Sequence, residues 1–396
     1  METPPFRELA PDRTVRPEDL LPENVIREEY GRYLEDFRPG EIVVHPRGLT
    51  LDRSFAQEFA LTFHEACPLF LDAPLAREVG FRDLPLSPLM TFNITLSLGV
   101  EKNSEKAIAN LGYYNVRFPR PVYPGDTLRA RTRTLEVRER GPGKPGIVSV
   151  RTLGLNQEGE TVVQYDRKIL IPPRPPGAAV RESPGDGAEF PEENENTLFL
   201  PDLQARKIGA ARGPRAPGGA ARTSELLPGR VLVHGNMRTI TDEHVPWTYR
   251  LGNTHPLHYD RIYSSSLSGP LSGEPVVYGG LVFAWLCGLA SRDLSRDMLW
   301  DLGYTEGYHT QPAWAGDTIG SLTRILARED GPLPGTEILQ AQLIGVKNIH
   351  PGEALEKYGA DLFSKENDKK SQGKEKIPEK IFEIERRLLL GKNEAE

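Results

Sequence analysis

The chain has 396 residues, a formal net charge of −7 and two cysteines, Cys67 and Cys287. Its basic residues are scattered without aromatic interleaving, so nucleic-acid binding has no electrostatic support, and no stretch reaches the ~18 to 20 apolar residues that would span a bilayer. Two cysteines at non-corresponding positions make neither a disulfide framework nor a thiolate metal site, and the expectation is a soluble protein of a reducing cytosol.

Residues 1–28 mix acidic and basic side chains without an apolar core and read as an N-terminal extension. A first domain is expected over 29–172. It opens on a strand in PGEIVVHPRGLTL (39–51) that leads into a helix, then passes through the loop PLFLD (68–72) to MTFNITLSLGV (90–100), long and apolar enough for a buried helix. Four β runs follow: YYNVRF, DTLRARTRTLEV, GIVSVRTLGL and TVVQYDRKILI. Residues 173–226 are rich in Pro, Gly and charge and read as a long surface linker.

The same order of signals then returns over 227–364. PGRVLVHGNMRTI (228–240) answers the first strand, and Thr241, Asp242 and Glu243 offer caps for the helix after it. PLHYD (256–260) answers PLFLD, and GLVFAWLCGLA (280–290) supplies a second buried helix. LGYTEGYHTQPAWAGDTI (302–319) repeats LGYYNVRFPRPVYPGDTL (111–128), with Leu, Gly, Tyr, Pro, Gly, Asp and Thr in register. Matches in one order mean two copies of one domain. The remaining 365–396 read as a charged tail, in which Ile381, Ile384 and Leu388 of KIFEIERRLLL (380–390) are spaced for a short docking helix or a frayed end. A central helix followed by consecutive antiparallel strands, twice over, predicts an α+β tandem hot-dog architecture: two curved sheets side by side, each wrapped on its helix, with a site at the join.

Three motifs of the second copy, GNTHPLH (252–258), PVVYGGL (275–281) and PAWAGDT (312–318), resemble those of the MaoC-type hydratase/dehydratase superfamily. More narrowly, ANLGYYNVRFPRPVYPGDTL in the first copy, with NTHPLHYD, VVYGG and HTQPAWAGDT in the second, resembles the β-methylmalyl-CoA dehydratases, also called mesaconyl-CoA hydratases. The resemblance implies reversible addition of water to a 2-enoyl-CoA thioester without metal or redox cofactor, CoA being part of the substrate, and a homodimer is expected.

Such chemistry needs a base for water, an acid for C2 and donors for the enolate oxygen. His258 can accept and return a proton near neutral pH, and Asn253 on the same loop can orient water through its amide. Tyr278, Gly279 and Gly280 open the apolar helix, where free N–H groups and the positive dipole end favour an oxyanion, while glycine admits a thioester carbonyl. His309, which stands where the first copy has Phe118, offers a second proton-handling or carboxylate-binding group.

At the matching positions the first copy carries Phe70 for His258, Leu89 for Gly279 and Glu65 for Asn253. It is therefore expected to be a non-catalytic packing partner that holds part of the CoA chain. His45 and His234, like Asp126 and Asp317, recur in both copies and point to shared structural roles. His255 beside His258 suggests a metal pair, but no third ligand is spaced with it. Superfamily members carry Asp where Asn253 stands: either activity is lost, or a neutral amide avoids repelling a substrate with a second carboxylate. The rivals are an (R)-specific hydratase of monocarboxylic enoyl-CoA, a thioesterase and a non-catalytic acyl-CoA-binding protein.

Overall fold

The computed structural model describes residues 28–178, 187–194, 197–204, 225–269 and 271–392. In the first copy, strand β1 (Ile42–Thr50) leads to helix α1 (Arg53–Thr62), begun by Asp52, whose carboxylate accepts the Phe55 N–H at 2.8 Å. A 3-10 turn at Pro68–Phe70 precedes α2 (Ala73–Val79), and α3 (Pro88–Leu98) is the central helix. Strands β2 (Ala109–Arg117), β3 (Thr127–Arg138), β4 (Gly146–Leu155) and β5 (Thr161–Ile171) follow. The second copy repeats the plan with a divided first strand, β6 (Val231–Val233) and β7 (Arg238–Thr239), then α4 (His244–Arg250), a 3-10 turn at Pro256–His258, α5 (Arg261–Ser266) and central helix α6 (Gly279–Leu294). Its remaining strands are β8 (Met298–His309), β9 (Thr318–Asp330), β10 (Thr336–Lys347) and β11 (Lys380–Gly391), with α7 (Pro351–Tyr358) between the last two.

The strands form one antiparallel sheet in the order β1-β3-β4-β5-β2-β8-β11-β10-β9-β6, with β7 also paired to β9. The first five and the last five have the same internal order, so the join is β2 against β8. Across that seam Tyr113 faces Gly307 and Val116 faces Tyr304. In the sequence repeat, Tyr304 corresponds to Tyr113 and Gly307 to Val116. The register is therefore self-complementary, as at a two-fold interface between identical subunits. Gly303 is required there: its φ is +131°, and a Cβ would stand 1.9 Å from the Val116 carbonyl oxygen. Every residue of α3 is buried, as expected for a helix apolar on all sides that lies between a sheet and another helix. Phe92 of α3 and Phe283 of α6 meet edge to face with centroids 6.2 Å apart.

Three expectations are corrected. First, 380–390 is neither a docking helix nor a frayed end but all of β11 except its last residue, inserted between β8 and β10 and buried along most of its length. Phe382, Leu389 and Leu390 are apolar as well as Ile381, Ile384 and Leu388, and a run buried on both faces has no period that separates helix from strand. The second copy thus extends to Gly391, and KIFEIERRLLL is the repeat of TVVQYDRKILI. Second, 365–379 is not wholly solvated. Glu366, Lys369, Lys380 and Glu383 are buried together, with Lys369 Nζ 2.6 Å from Glu366 and Lys380 Nζ 2.7 Å from Glu383. Charge on a sequence reads as surface unless its partners are seen.

Third, within the expected 173–226 linker the described residues between 192 and 204 are bound to the first copy. The Phe199 N–H donates to Pro119 O and the Gln204 N–H to Val79 O, both at 2.7 Å, while Glu192 and Glu193 pair with Arg133 and Arg120, each at 2.6 Å. Leu198, Leu200 and Leu203 pack on the core. Residues 205–224 of the expected linker lie outside the described residues, as does most of the 1–28 extension. At α4, Glu243 occupies the cap position but makes no side-chain cap bond and pairs with Arg238 instead.

Candidate active site

The loop that carries the second copy's motif is held from both sides. Gly252 takes a φ of +93°, which only glycine adopts freely, and its carbonyl accepts from Arg47 of the first copy at 2.5 Å. Asn253, 2% exposed, folds its side-chain oxygen onto the His255 N–H at 2.8 Å. That bond fixes the amide, leaving its NH₂ as the remaining donor. His255 accepts the Leu257 N–H at Nδ1 (3.2 Å) and donates from Nε2 to Ala107 O of the first copy (2.9 Å), so both nitrogens serve the backbone. Its role is to tie the loop across the join.

His258 ends the 3-10 turn. The Val276 N–H donates to Leu257 O at 3.1 Å, and the Val276 carbonyl accepts from His258 Nδ1 at 2.9 Å. The imidazole is thereby held with Nε2 as the nitrogen free to accept a proton. Burial, with a smaller contribution from His255, holds its pKa down to about 3, so the ring is neutral at pH 7. His309 Nε2 lies 3.1 Å from the Tyr113 hydroxyl, and burial lowers this pKa to about 4. The Tyr278 hydroxyl is buried and accepts from Ser97 at 3.3 Å.

Asn253, His258, Tyr278, Gly279 and His309 line one cavity of about 260 Å³ at the join. A Cβ on Gly279 would stand 2.6 Å from His309 Nε2, so the ring lies directly on the first turn of α6, where the Leu281 N–H already donates to Tyr278 O at 2.9 Å and the N–H groups of Gly279 and Gly280 precede any helical acceptor. Gly280 is not in the cavity wall. Its place is explained by packing, since a Cβ there would stand 2.0 Å from Asn93 Oδ1 of α3. The cavity also takes residues from the first copy that the motifs do not mark as functional, among them Tyr113 and Arg167. Their signal is in the repeat: Arg167 on β5 and Arg386 on β11 stand opposite Tyr113 and Tyr304 respectively.

The corresponding place in the first copy is closed. Only about 10 Å³ remains among Glu65, Phe70, Leu89, Asp301 and Arg386. Glu65 makes the same turn as Asn253, accepting the Cys67 N–H at 2.8 Å, which supports the alignment of the two loops. Burial raises its pKa. Arg386 and Asp301 fill the space with an ion pair at 2.8 Å. The other repeated residues have structural partners in both copies. His45 and His234 each hold a threonine hydroxyl of the third strand, Thr132 and Thr323, at 2.8 Å, and Asp126 and Asp317 accept the Tyr123 and Trp314 N–H groups at 2.8 and 3.0 Å.

Known proteins are similar to this chain over most of its length. A mesaconyl-CoA hydratase of Cereibacter sphaeroides is 28% identical over 324 residues, covering 80% of this chain and 90% of that protein. A beta-methylmalyl-CoA dehydratase of Chloroflexus aurantiacus is 29% identical over 300 residues, covering 75% and 83%. Among solved structures, a conserved hypothetical protein of Mycobacterium tuberculosis described as a double hotdog fold superposes with a TM-score of 0.65 at 20% identity, covering 91% of this chain and 98% of that one. The profile of the mesaconyl-CoA hydratase family matches residues 19–338, which take in the first copy and the second as far as the start of β10, the motif loop included, and the chain belongs to that family.

Proposed function

We propose that this protein is a hydro-lyase that interconverts mesaconyl-CoA and β-methylmalyl-CoA, with its chemistry at the cavity between the copies. The observation that carries the reading is His258, whose Nδ1 is committed to Val276 O and whose Nε2 is left for the reaction. In the hydration direction, neutral His258 takes a proton from a water positioned by the Asn253 amide. The hydroxyl adds to the carbon β to the thioester, and the electron pair moves to the thioester oxygen. The first-turn N–H groups at Gly279 and the positive end of α6 receive that charge.

The same burial that holds the His258 pKa to about 3 makes imidazolium unfavourable, which favours prompt return of the proton to C2. His309 and Tyr113 form a hydrogen-bonded pair against Gly279 and shape the oxyanion side. Names of the relatives support the substrate, and the cavity's position at the join supports a first copy that contributes wall rather than catalyst. Cys67 and Cys287 are both buried thiols, which suits a reducing cytosolic setting. Among the described residues no helix is long and apolar enough to cross a membrane. The homodimer expected for the unit is checked by light scattering.

The test is a substrate comparison on the whole protein. Mesaconyl-CoA should lose enoyl absorbance without release of free thiol. Turnover of crotonyl-CoA alone would replace this reading by the monocarboxylic hydratase, thiol release by a thioesterase, and binding without turnover by an acyl-CoA-binding protein.

A further inference from the structure

The cavity holds a buried cation whose counterpart elsewhere in the same molecule has a carboxylate partner. Arg167, on β5 of the first copy, is 5% exposed and lines the cavity. Among the described residues its one side-chain hydrogen bond runs from Nη2 to the Ser104 hydroxyl at 2.8 Å, and its Nε is buried without an acceptor. No carboxylate of the described residues pairs with it. A buried guanidinium without an anion is costly, because its hydration is lost and little replaces it.

The closed site shows what belongs there. Arg167 faces Tyr113 across β2 and β5, and Arg386 faces Tyr304 across β8 and β11. Where the closed site has Asp301, which accepts from Arg386 at 2.8 Å and from the Tyr304 hydroxyl at 3.1 Å, the repeat places Asn110 in the open one. Asn110 keeps the local turn, accepting the Gly112 N–H at 3.2 Å as Asp301 accepts that of Gly303 at 3.1 Å. The backbone device is thus retained and the charge alone is removed. Asn110 also lines the cavity. The open site is the closed one with its internal carboxylate deleted and a space of about 260 Å³ in its place.

We propose that Arg167 binds the free carboxylate of a dicarboxylic acyl-CoA, and that Asp301 is the built-in mimic of that group in the closed copy. The specificity of the site then comes from the copy without the histidine. A planar guanidinium with donors to spare receives a carboxylate in two parallel bonds, which sets the acyl chain's direction as well as its class. This rests on the dicarboxylic reading of the cavity, but binding tests it without turnover.

The experiment measures affinity for two unreactive saturated thioesters of equal chain length, succinyl-CoA and butyryl-CoA, by competition on the whole protein. Wild type should prefer succinyl-CoA by roughly 10- to 100-fold. Arg167→Met and Asn110→Asp should each bring that ratio close to one, the second by giving Arg167 the partner that Arg386 already has. Because Asp301 and Arg386 coexist in the folded protein, Asn110→Asp keeps the test decisive if Arg167→Met fails to fold. A wild-type ratio near one, or a ratio that survives in Asn110→Asp, overturns the proposal. Succinyl-CoA preference through Arg167 with no hydration of mesaconyl-CoA would instead sink the hydratase reading and leave this one standing.

Discussion

Adjacent glycines at the head of α6 should fail in different ways when each is given one methyl group. At Gly279 the new Cβ meets His309 at 2.6 Å from Nε2 and 2.7 Å from Cε1, the far end of a side chain that can rotate away. Stability should change by less than about 1 kcal/mol, the order of the helix propensity gained from glycine to alanine. Activity should not survive as well. The methyl occupies the approach to the first-turn N–H groups and displaces the His309 ring, so kcat should fall by about 10²- to 10³-fold, the range for loss of an oxyanion donor.

At Gly280 the obstacle is Asn93 Oδ1 at 2.0 Å, on a buried side chain whose amide is already bonded to Leu89 O at 3.0 Å. Overpacking costs about 1 to 3 kcal/mol there and should lower the melting temperature by a few degrees, with a smaller effect on kcat among molecules that remain folded. The assay pairs thermal unfolding with loss of enoyl absorbance for both variants. Gly279→Ala with kcat within threefold of wild type would refute the placement of the thioester oxygen at this turn.

Acid should destabilise the fold over a definable window. Burial lowers His45, His255 and His309 to about 4 and His258 to about 3, from 6.5 when unfolded, so below pH 6.5 the unfolded chain binds protons that the native one refuses. Each contributes a loss of about 1.4 kcal/mol per pH unit, together on the order of 5 kcal/mol by pH 5.5, and denaturant midpoints unchanged between pH 7.5 and 5.5 would contradict it. Deleting 380–391 removes a strand with neighbours on both sides and should abolish folding, read by circular dichroism; a soluble, cooperatively melting product would show β11 to be dispensable. Asn253→Asp keeps an acceptor for the His255 N–H but puts an anion into the cavity, a repulsion of about 1 to 4 kcal/mol at ~4 Å from a substrate carboxylate. Turnover of mesaconyl-CoA should fall at least several-fold, and a rise would show that the amide is not there to avoid like charge.

What could be read from residue order alone was whatever stays local. The P-L-x-x-D loops, the two apolar helices and the Pro-to-Thr turns each sit within a short window, and their repetition points to the paired architecture and to Asn253, His258 and His309, which line one cavity. The motif joins Gly280 to Gly279, whereas a helix turns by about 100° per residue and points neighbours at different surroundings. Arg167 was out of reach for another reason. Its twin Arg386 lies beyond an insertion between β10 and β11, in a strand whose two buried faces disguise its period, so the repeat was broken at the strand that would have exposed the comparison. Glu192 and Glu193 looked like solvated linker because their arginine partners lie on distant strands.

Replacement of His258 by alanine, assayed for hydration of mesaconyl-CoA alongside binding of succinyl-CoA, examines the proposed chemistry most directly. Among the described residues the imidazole bonds only to Val276 O, so folding and thioester affinity should persist while kcat drops by about 10²- to 10⁴-fold, the range for removing a general base. A variant that still hydrates mesaconyl-CoA within tenfold of the wild-type rate would mean that water is activated by some other group and that the asymmetry between His258 and Phe70 is not the origin of activity.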